Sequence, residues 1–297
     1  MTREASNSTT ATNYALEGEI RDQPSVPAIS GPDGSEGPWL ELIPDRITTV
    51  PKYILTKTHC GGFCSYCPPD KYIETPRSFQ YSCQSGTRAF ENHDGDIKKV
   101  PSTYDGKLVK KAIHLFRHPL DNIVARFHLD YRRQQKSGEN GGNMTHWPEL
   151  FPKNSTGFHQ WCNFMDSDGG LLNLHWIDQD LRDALDGVPC KAEFYRYVQW
   201  HNNAFIMCKE MSIPVMLLHY RDYSNHFEET LDKILDFLEV HRAGDEVEFI
   251  SGKEYGDYYN PDQKQKIRAF LQEFSTKDTW AQLSSYSFEE DQTLAQA

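Results

Sequence analysis

The chain has no long apolar run. Nowhere do eighteen or more apolar residues follow one another, so no segment has the length and hydrophobicity of a membrane-spanning helix. The stretch Met1 to Glu19 is polar and holds no apolar core of the kind that directs secretion, so no signal peptide is expected in the chain as written. Positive charge is also scarce: 31 Lys and Arg face 43 Asp and Glu, a formal net charge of −12. Such a chain lacks the basic surface on which sequence-independent nucleic-acid binding depends, and no nucleic-acid partner is expected. An anionic ligand has to be held by a local basic pocket, against a global field that repels it. No internal repeat is present.

What is there suffices for a folded body. Hydrophobic residues make up 38% and aromatics 12% of 297 residues, enough for one large core or two small ones. Residues 1–45 are rich in Ser, Thr, Gly, Pro and Asn without a sustained period, and read as a polar, loop-rich segment. One α/β domain is expected over 46–290, with a tail at 291–297. Three short apolar segments have the character of strands covered on both faces: Lys52 to Lys57, Lys111 to Arg117, and Pro214 to Tyr220.

Helical stripes follow these strands. Leu120, Ile123, Val124, Phe127 and Tyr131 share one face, with Pro119 at the favoured first position. Phe194, Tyr197, Val198, His201, Phe205 and Cys208 form a second stripe. A third runs from Phe227 to Leu238, with Asn225 and Glu228 in capping-box spacing, and a fourth opens at Asn260-Pro261. Strands alternating with helices predict a parallel sheet flanked by helices. Residues 134–190 show few periodic stretches and many Gly, Asn, Asp and Trp, and are expected to be irregular, in the place where substrate loops lie.

The segment from Ala112 through Arg117-His118-Pro119 is a strand, an arginine and a helix start. In an open α/β sheet, ligands bind beyond the carboxyl ends of strands, where the free N–H groups of the next helix attract anions. An arginine there supplies a forked and permanently charged clamp. Arg117-His118-Pro119-Leu120-Asp121, continuing to Ala125-Arg126-Phe127-His128, resembles the 3′-phosphate motif of sulfotransferases, R-[ND]-P-x-D-x-x-x-S. His219-Tyr220-Arg221-Asp222 resembles that family's Y-E-D strand end, whose tyrosine lies near the adenine. Tyr197-Val198-Gln199-Trp200-His201 is similar to its aromatic helix, and Gly252 to Tyr259 to its C-terminal loop over the 3′-phosphate.

Tyr53 to His59 then resembles the strand ending in K-T-H that carries the family's catalytic histidine. The resemblance spans roughly residues 50–285. It implies a three-layer fold like that of the P-loop NTPases, with 3′-phosphoadenosine 5′-phosphosulfate as co-substrate, a hydroxyl acceptor on a glycan, peptide or small molecule, and no metal. Carried over residue by residue, His59 is the base and Lys57 the electrophilic helper, since a neutral imidazole can accept the acceptor's proton and an ammonium can steady charge on the leaving phosphate. Arg117, Arg126, Tyr220 and Lys253 are the nucleotide-binding residues. His93 is a fallback base, in a polar loop with no strand expected before it.

Two positions depart from the family pattern. The first strand and its 5′-phosphosulfate loop have no counterpart: Lys57-Thr58-His59-Cys60-Gly61-Gly62 has suitable residue types, but Cys64, Pro68 and Pro69 preclude the helix that must follow. Ala5 to Glu17 instead resembles the segment after that loop, so an N-terminally shortened family domain is expected. The serine of the arginine motif is Ala125. These departures favour a second reading, a catalytically silent relative that binds or scaffolds. Cys60, Cys64, Cys67 and Cys83 lie close together; a disulfide-pinned loop is the first expectation, free thiols the second, and a structural zinc site within an interaction domain the third. Cys162, Cys190 and Cys208 read as isolated. Three N-x-S/T sequons stand at Asn7, Asn143 and Asn154. A cytoplasmic setting is expected for the chain as written, and a Golgi lumen for a longer form.

Overall fold

In a computed structural model of the chain, the described residues are 9–12, 54–57, 60, 75–91, 97–103, 106–139, 147–168, 179–242, 255 and 258–288. In chain order they form β1 (Thr9–Thr12), β2 (Ile54–Lys57), α1 (Pro76–Gln84), β3 (Ser85–Glu91), β4 (Ile97–Thr103), β5 (Ala112–Phe116), α2 (Pro119–Glu139), α3 (Trp147–Leu150), α4 (Ser155–Asp168), α5 (Gln179–Ala184), α6 (Lys191–Glu210), β6 (Val215–His219), α7 (Tyr220–Asn225), α8 (Phe227–Leu238), α9 (Pro261–Phe274) and α10 (Lys277–Leu283). The class is α/β, mostly helical. Among the described residues the strands make three separate pairs. β1 and β2 run parallel, Thr9 opposite Ile54 and Thr12 opposite Lys57. β3 and β4 run antiparallel, Ser85 opposite Thr103 and Glu91 opposite Ile97. β5 pairs with β6, and Ala112 N–H donates to the Pro214 carbonyl at 2.9 Å.

The chain divides into two compact units. The first comprises Met1–Gly61, Thr75–Leu115 and Ile206–Ser251. It holds all three strand pairs up to Leu115, together with α1, α7 and α8. Its helix α8 packs Leu231 and Leu235 with Phe227 and Val240, and Cys60 is joined to Cys83 by a disulfide. Helix α8 lacks the expected cap. Asn225 is the last residue of α7, and α8 starts from His226 without a side-chain cap. A short helix had already used the asparagine, so the capping-box spacing had no free helix end to serve. Glu239 closes α8 in the left-handed region at φ 54°, and its carboxylate accepts from Lys111 Nζ at 2.7 Å.

The second unit comprises Gly62–Glu74, Phe116–Phe205 and Gly252–Ala297. Its core is aromatic: Phe116, Phe127, Phe158, Trp161, Phe194 and Phe270 are almost wholly buried. Each such side chain contributes about 1.5–3 kcal/mol by leaving water. Edge-to-face and tilted pairs add to that, such as Phe127 with Trp161 at 5.6 Å and Phe158 with Tyr259 at 5.4 Å. Helix α9 is capped by Asn260, whose Oδ1 accepts from Gln263 N–H at 2.9 Å while Gln263 Oε1 accepts from Asn260 N–H at 3.0 Å. Pro261 takes the first helical position, as expected.

Two expectations change in this unit. Residues 134–190 are not mainly irregular, because α3, α4 and α5 lie within them. Phe158, Trp161, Cys162 and Met165 are buried at helical spacing on α4, and Asn154 Oδ1 caps that helix by accepting from Gly157 N–H at 2.9 Å. Burying that stripe outweighs the surrounding Gly, Asn and Trp, which taken as composition favour loops. Cys162 and Cys190 are not isolated either: a disulfide ties α4 to the residue before α6. Asp166, one turn beyond Cys162, accepts from the backbone N–H groups of Lys191 and Ala192 at 3.2 Å each, so two fastenings hold the same junction.

Candidate anion-binding site

Arg117 lies between the end of β5 and the first turn of α2, the location expected of a phosphate clamp. Its carbonyl accepts from the Tyr197 hydroxyl at 2.6 Å. Burial, with Tyr286 adding to it, pushes that hydroxyl well above its ordinary pKa, so Tyr197 remains a donor across the working pH range. Tyr197 is backed by His201 at 4.4 Å between ring centroids, and His201 stacks on Phe116 at 4.3 Å and 10°. The backbone that presents Arg117 is thus fixed from α6. Its guanidinium carbon lies 6.0 Å from the centroid of the Tyr255 ring, at the outer reach of a cation–π contact.

His118, the residue before Pro119, holds the start of α2. Its Nδ1 accepts from Leu120 N–H at 3.2 Å and so caps α2. That leaves the proton on Nε2, which donates to the Ser287 carbonyl at 2.8 Å. The ring sits against Tyr286 at 5.1 Å and Phe288 at 5.2 Å, tying the chain beyond α10 to the start of α2. About three helical turns along α2 from Arg117 stands His128. Its ring centroid is 5.2 Å from Tyr255, and its Nε2 is 3.3 Å from the Tyr258 hydroxyl. His128 closes the stretch that resembles the arginine motif, but no role is expected of it from the sequence. Its distance from Arg117, close to a whole number of turns, is the signal that could have found it.

Arg126 lies deeper. It forms a buried ion pair with Glu193, which also accepts from Arg196 Nη1 at 3.0 Å. Burial alone pushes the Glu193 carboxyl up, but the two guanidiniums outweigh it and hold the group below its ordinary value. Arg126 therefore belongs to a structural cation–anion–cation cluster joining α2 to α6. Ala125 is half-buried on α2.

Lys57 ends β2, and its backbone pairs with Thr12. Tyr220 opens α7 instead of ending a strand, and Asp222 accepts from His219 N–H at 3.2 Å to start that helix. Lys57 and Tyr220 belong to the first unit, Arg117 and Arg126 to the second. His59, His93, Lys253, Cys64 and Cys67 lie outside the described residues. One expectation about His93 is corrected: β3 does precede it, ending at Glu91, because pairing with β4 makes a strand of a stretch with little apolar alternation. With Cys60 and Cys83 oxidised to a disulfide, a zinc site made of the four thiolates loses two of its ligands. No helix among the described residues is long and apolar enough to cross a membrane. Compared with known proteins, the chain matches no family model, no curated sequence and no solved structure.

Proposed function

We propose that this chain is a sulfotransferase with a fold of the P-loop NTPase kind, and that Arg117 anchors the 3′-phosphate of 3′-phosphoadenosine 5′-phosphosulfate. The observation that carries the reading is the meeting of Arg117 with Tyr255. The sequence resemblance assigns the arginine to the 3′-phosphate and Gly252 to Tyr259 to the loop that covers it, and the Tyr255 ring of that segment stands at the Arg117 guanidinium. In the reaction, an acceptor hydroxyl oxygen attacks sulfur as the bond from sulfur to the bridging oxygen breaks, and the electron pair leaves on the nucleotide's 5′-phosphate. His59 takes the hydroxyl proton and Lys57 steadies the charge on the bridging oxygen. Arg117 supplies binding and register, not chemistry.

Titration with 3′-phosphoadenosine 5′-phosphate tests the anchor. Saturable binding is expected, and Arg117→Ala should weaken it at least tenfold, since a charge-assisted hydrogen bond contributes about 1.5–3 kcal/mol. The variant should stay folded, because Tyr197 holds the Arg117 carbonyl and not its side chain. Absence of binding at millimolar ligand overturns the reading. Ala125 favours the second reading, a catalytically silent relative that still binds the nucleotide. Transfer of sulfate that disappears in His59→Ala supports the enzyme, whereas binding without transfer supports the silent relative.

A further inference from the structure

We propose that Asn154 carries an N-linked glycan, added in the oxidising lumen where the Cys162–Cys190 disulfide forms. Asn154-Ser155-Thr156 is an acceptor sequon with no proline at its middle position. Asn154 and Thr156 are both exposed, as is Lys153 before them. The local backbone makes a tight bend, with Asn154 N–H donating to the Pro152 carbonyl at 2.7 Å. Gly157 permits that bend: a Cβ there would stand 1.8 Å from the Pro152 carbonyl oxygen. The sequon is therefore a turn at a helix start, held outward by its own backbone.

The division of labour within the Asn154 side chain is what makes the modification compatible with the fold. Oδ1 is engaged, capping α4 through Gly157 N–H at 2.9 Å. Nδ2 has no hydrogen-bond partner among the described residues, and Asn154 is exposed. An N-glycosidic bond uses only Nδ2 and leaves Oδ1 an acceptor, so the cap survives glycosylation. In the transfer step, Nδ2 attacks C1 of a lipid-pyrophosphate-linked oligosaccharide. The nitrogen–carbon bond forms, the C1–oxygen bond breaks with its electron pair leaving on the pyrophosphate, and one amide proton passes to a base of the transferring enzyme. Nothing is oxidised or reduced.

The disulfides supply the second, independent observation. Cys162 lies on the same helix as the sequon, two turns on, and is joined to Cys190; Cys60 and Cys83 form another bridge in the other unit. Such bonds form and persist in secretory compartments and are rare in the reducing cytosol. Those compartments also hold the glycosylating machinery, and they match the lumenal setting, the second of the two expected from the sequence.

The protein isolated from its own cells provides the test. It is digested without reduction and treated with peptide N-glycosidase in ¹⁸O water. Conversion of Asn154 to ¹⁸O-labelled Asp is expected, with Cys162 and Cys190 in one cross-linked peptide. An unmodified Asn154 overturns the proposal, even if Asn7 or Asn143 is occupied. Two variants expressed in the same cells guard against misfolding as an explanation. Asn154→Asp keeps the capping oxygen, and Thr156→Ala removes the hydroxyl that the transferase reads. Each should lose one step of glycosidase-sensitive mobility, while Thr156→Ser keeps it. Asn154→Asp migrating with wild type before treatment would also overturn the proposal.

Discussion

At the scale of single residues, the best-defined polar feature is the buried cluster of Arg126, Glu193 and Arg196. Its members tolerate burial only together. Glu193→Ala leaves two buried guanidiniums without the carboxylate between them, so a loss of about 3–5 kcal/mol is expected. A fall in the urea midpoint at unchanged m-value checks this. Replacing all three with apolar residues of similar volume should cost far less, because no charge is then stranded. The place of Arg117 between a strand and a helix was legible in the sequence, since a strand end, a following proline and a helical stripe all point to it. Glu193 was not: it sits on a different helix from Arg126, and sequence does not reveal which charges face each other across a core. His118 was half-legible. The motif marked its position, but only the structure shows its Nδ1 capping α2.

At the scale of elements, α4 and its fastening to α6 decide how the second unit is held. The Cys162–Cys190 bridge closes a loop of 28 residues, which on chain-entropy grounds contributes about 3.5 kcal/mol. Cys162→Ala/Cys190→Ala should lower the melting temperature by several degrees, and reductant should lower that of wild type further than that of the variant. Equal sensitivity to reductant in both would show that this bridge does not contribute. Strands β2, β5 and β6 and helices α2, α6 and α9 were readable from continuous apolar runs or 3.6-residue stripes. Helix α4 carried an equally regular stripe, from Phe158 to Met165, but loop-like composition on both sides hid it. The hairpin β3–β4 had no such signal, because pairing rather than burial pattern makes those residues strands.

At the scale of the whole molecule, His114 in the first unit and Asp166 in the second should contribute to the pH dependence of stability with opposite sign. In the first, burial and then the neighbouring His219 push His114 from its ordinary 6.5 to about 4. A depressed histidine favours the fold above pH 6.5, and that stability is lost as pH falls toward 4. In the second, burial pushes Asp166 from 3.8 up to about 6, despite the Ala192 and Lys191 N–H bonds and the Lys191 charge, with Glu193 adding to the rise. A raised carboxyl favours the fold below pH 3.8, and that stability is lost as pH rises through 6. Each shift corresponds to about 3 kcal/mol over its window. Hydrogen exchange, corrected for its intrinsic pH dependence, should show β5 and β6 opening more readily between pH 6.5 and 4. The α4–α6 junction should become better protected over the same range. His114→Gln should abolish the first trend and Asp166→Asn the second. The sequence by itself determined the α/β class, the main strands and amphipathic helices, and the placing of Arg117 between a strand and a helix start, because these follow from local periodicity and turn chemistry. Only the tertiary structure decided that Tyr255 meets Arg117, that Glu193 answers Arg126, and that Cys162 pairs with Cys190. Those contacts join residues far apart in the chain, and they are fixed by which apolar faces pack together rather than by any local pattern.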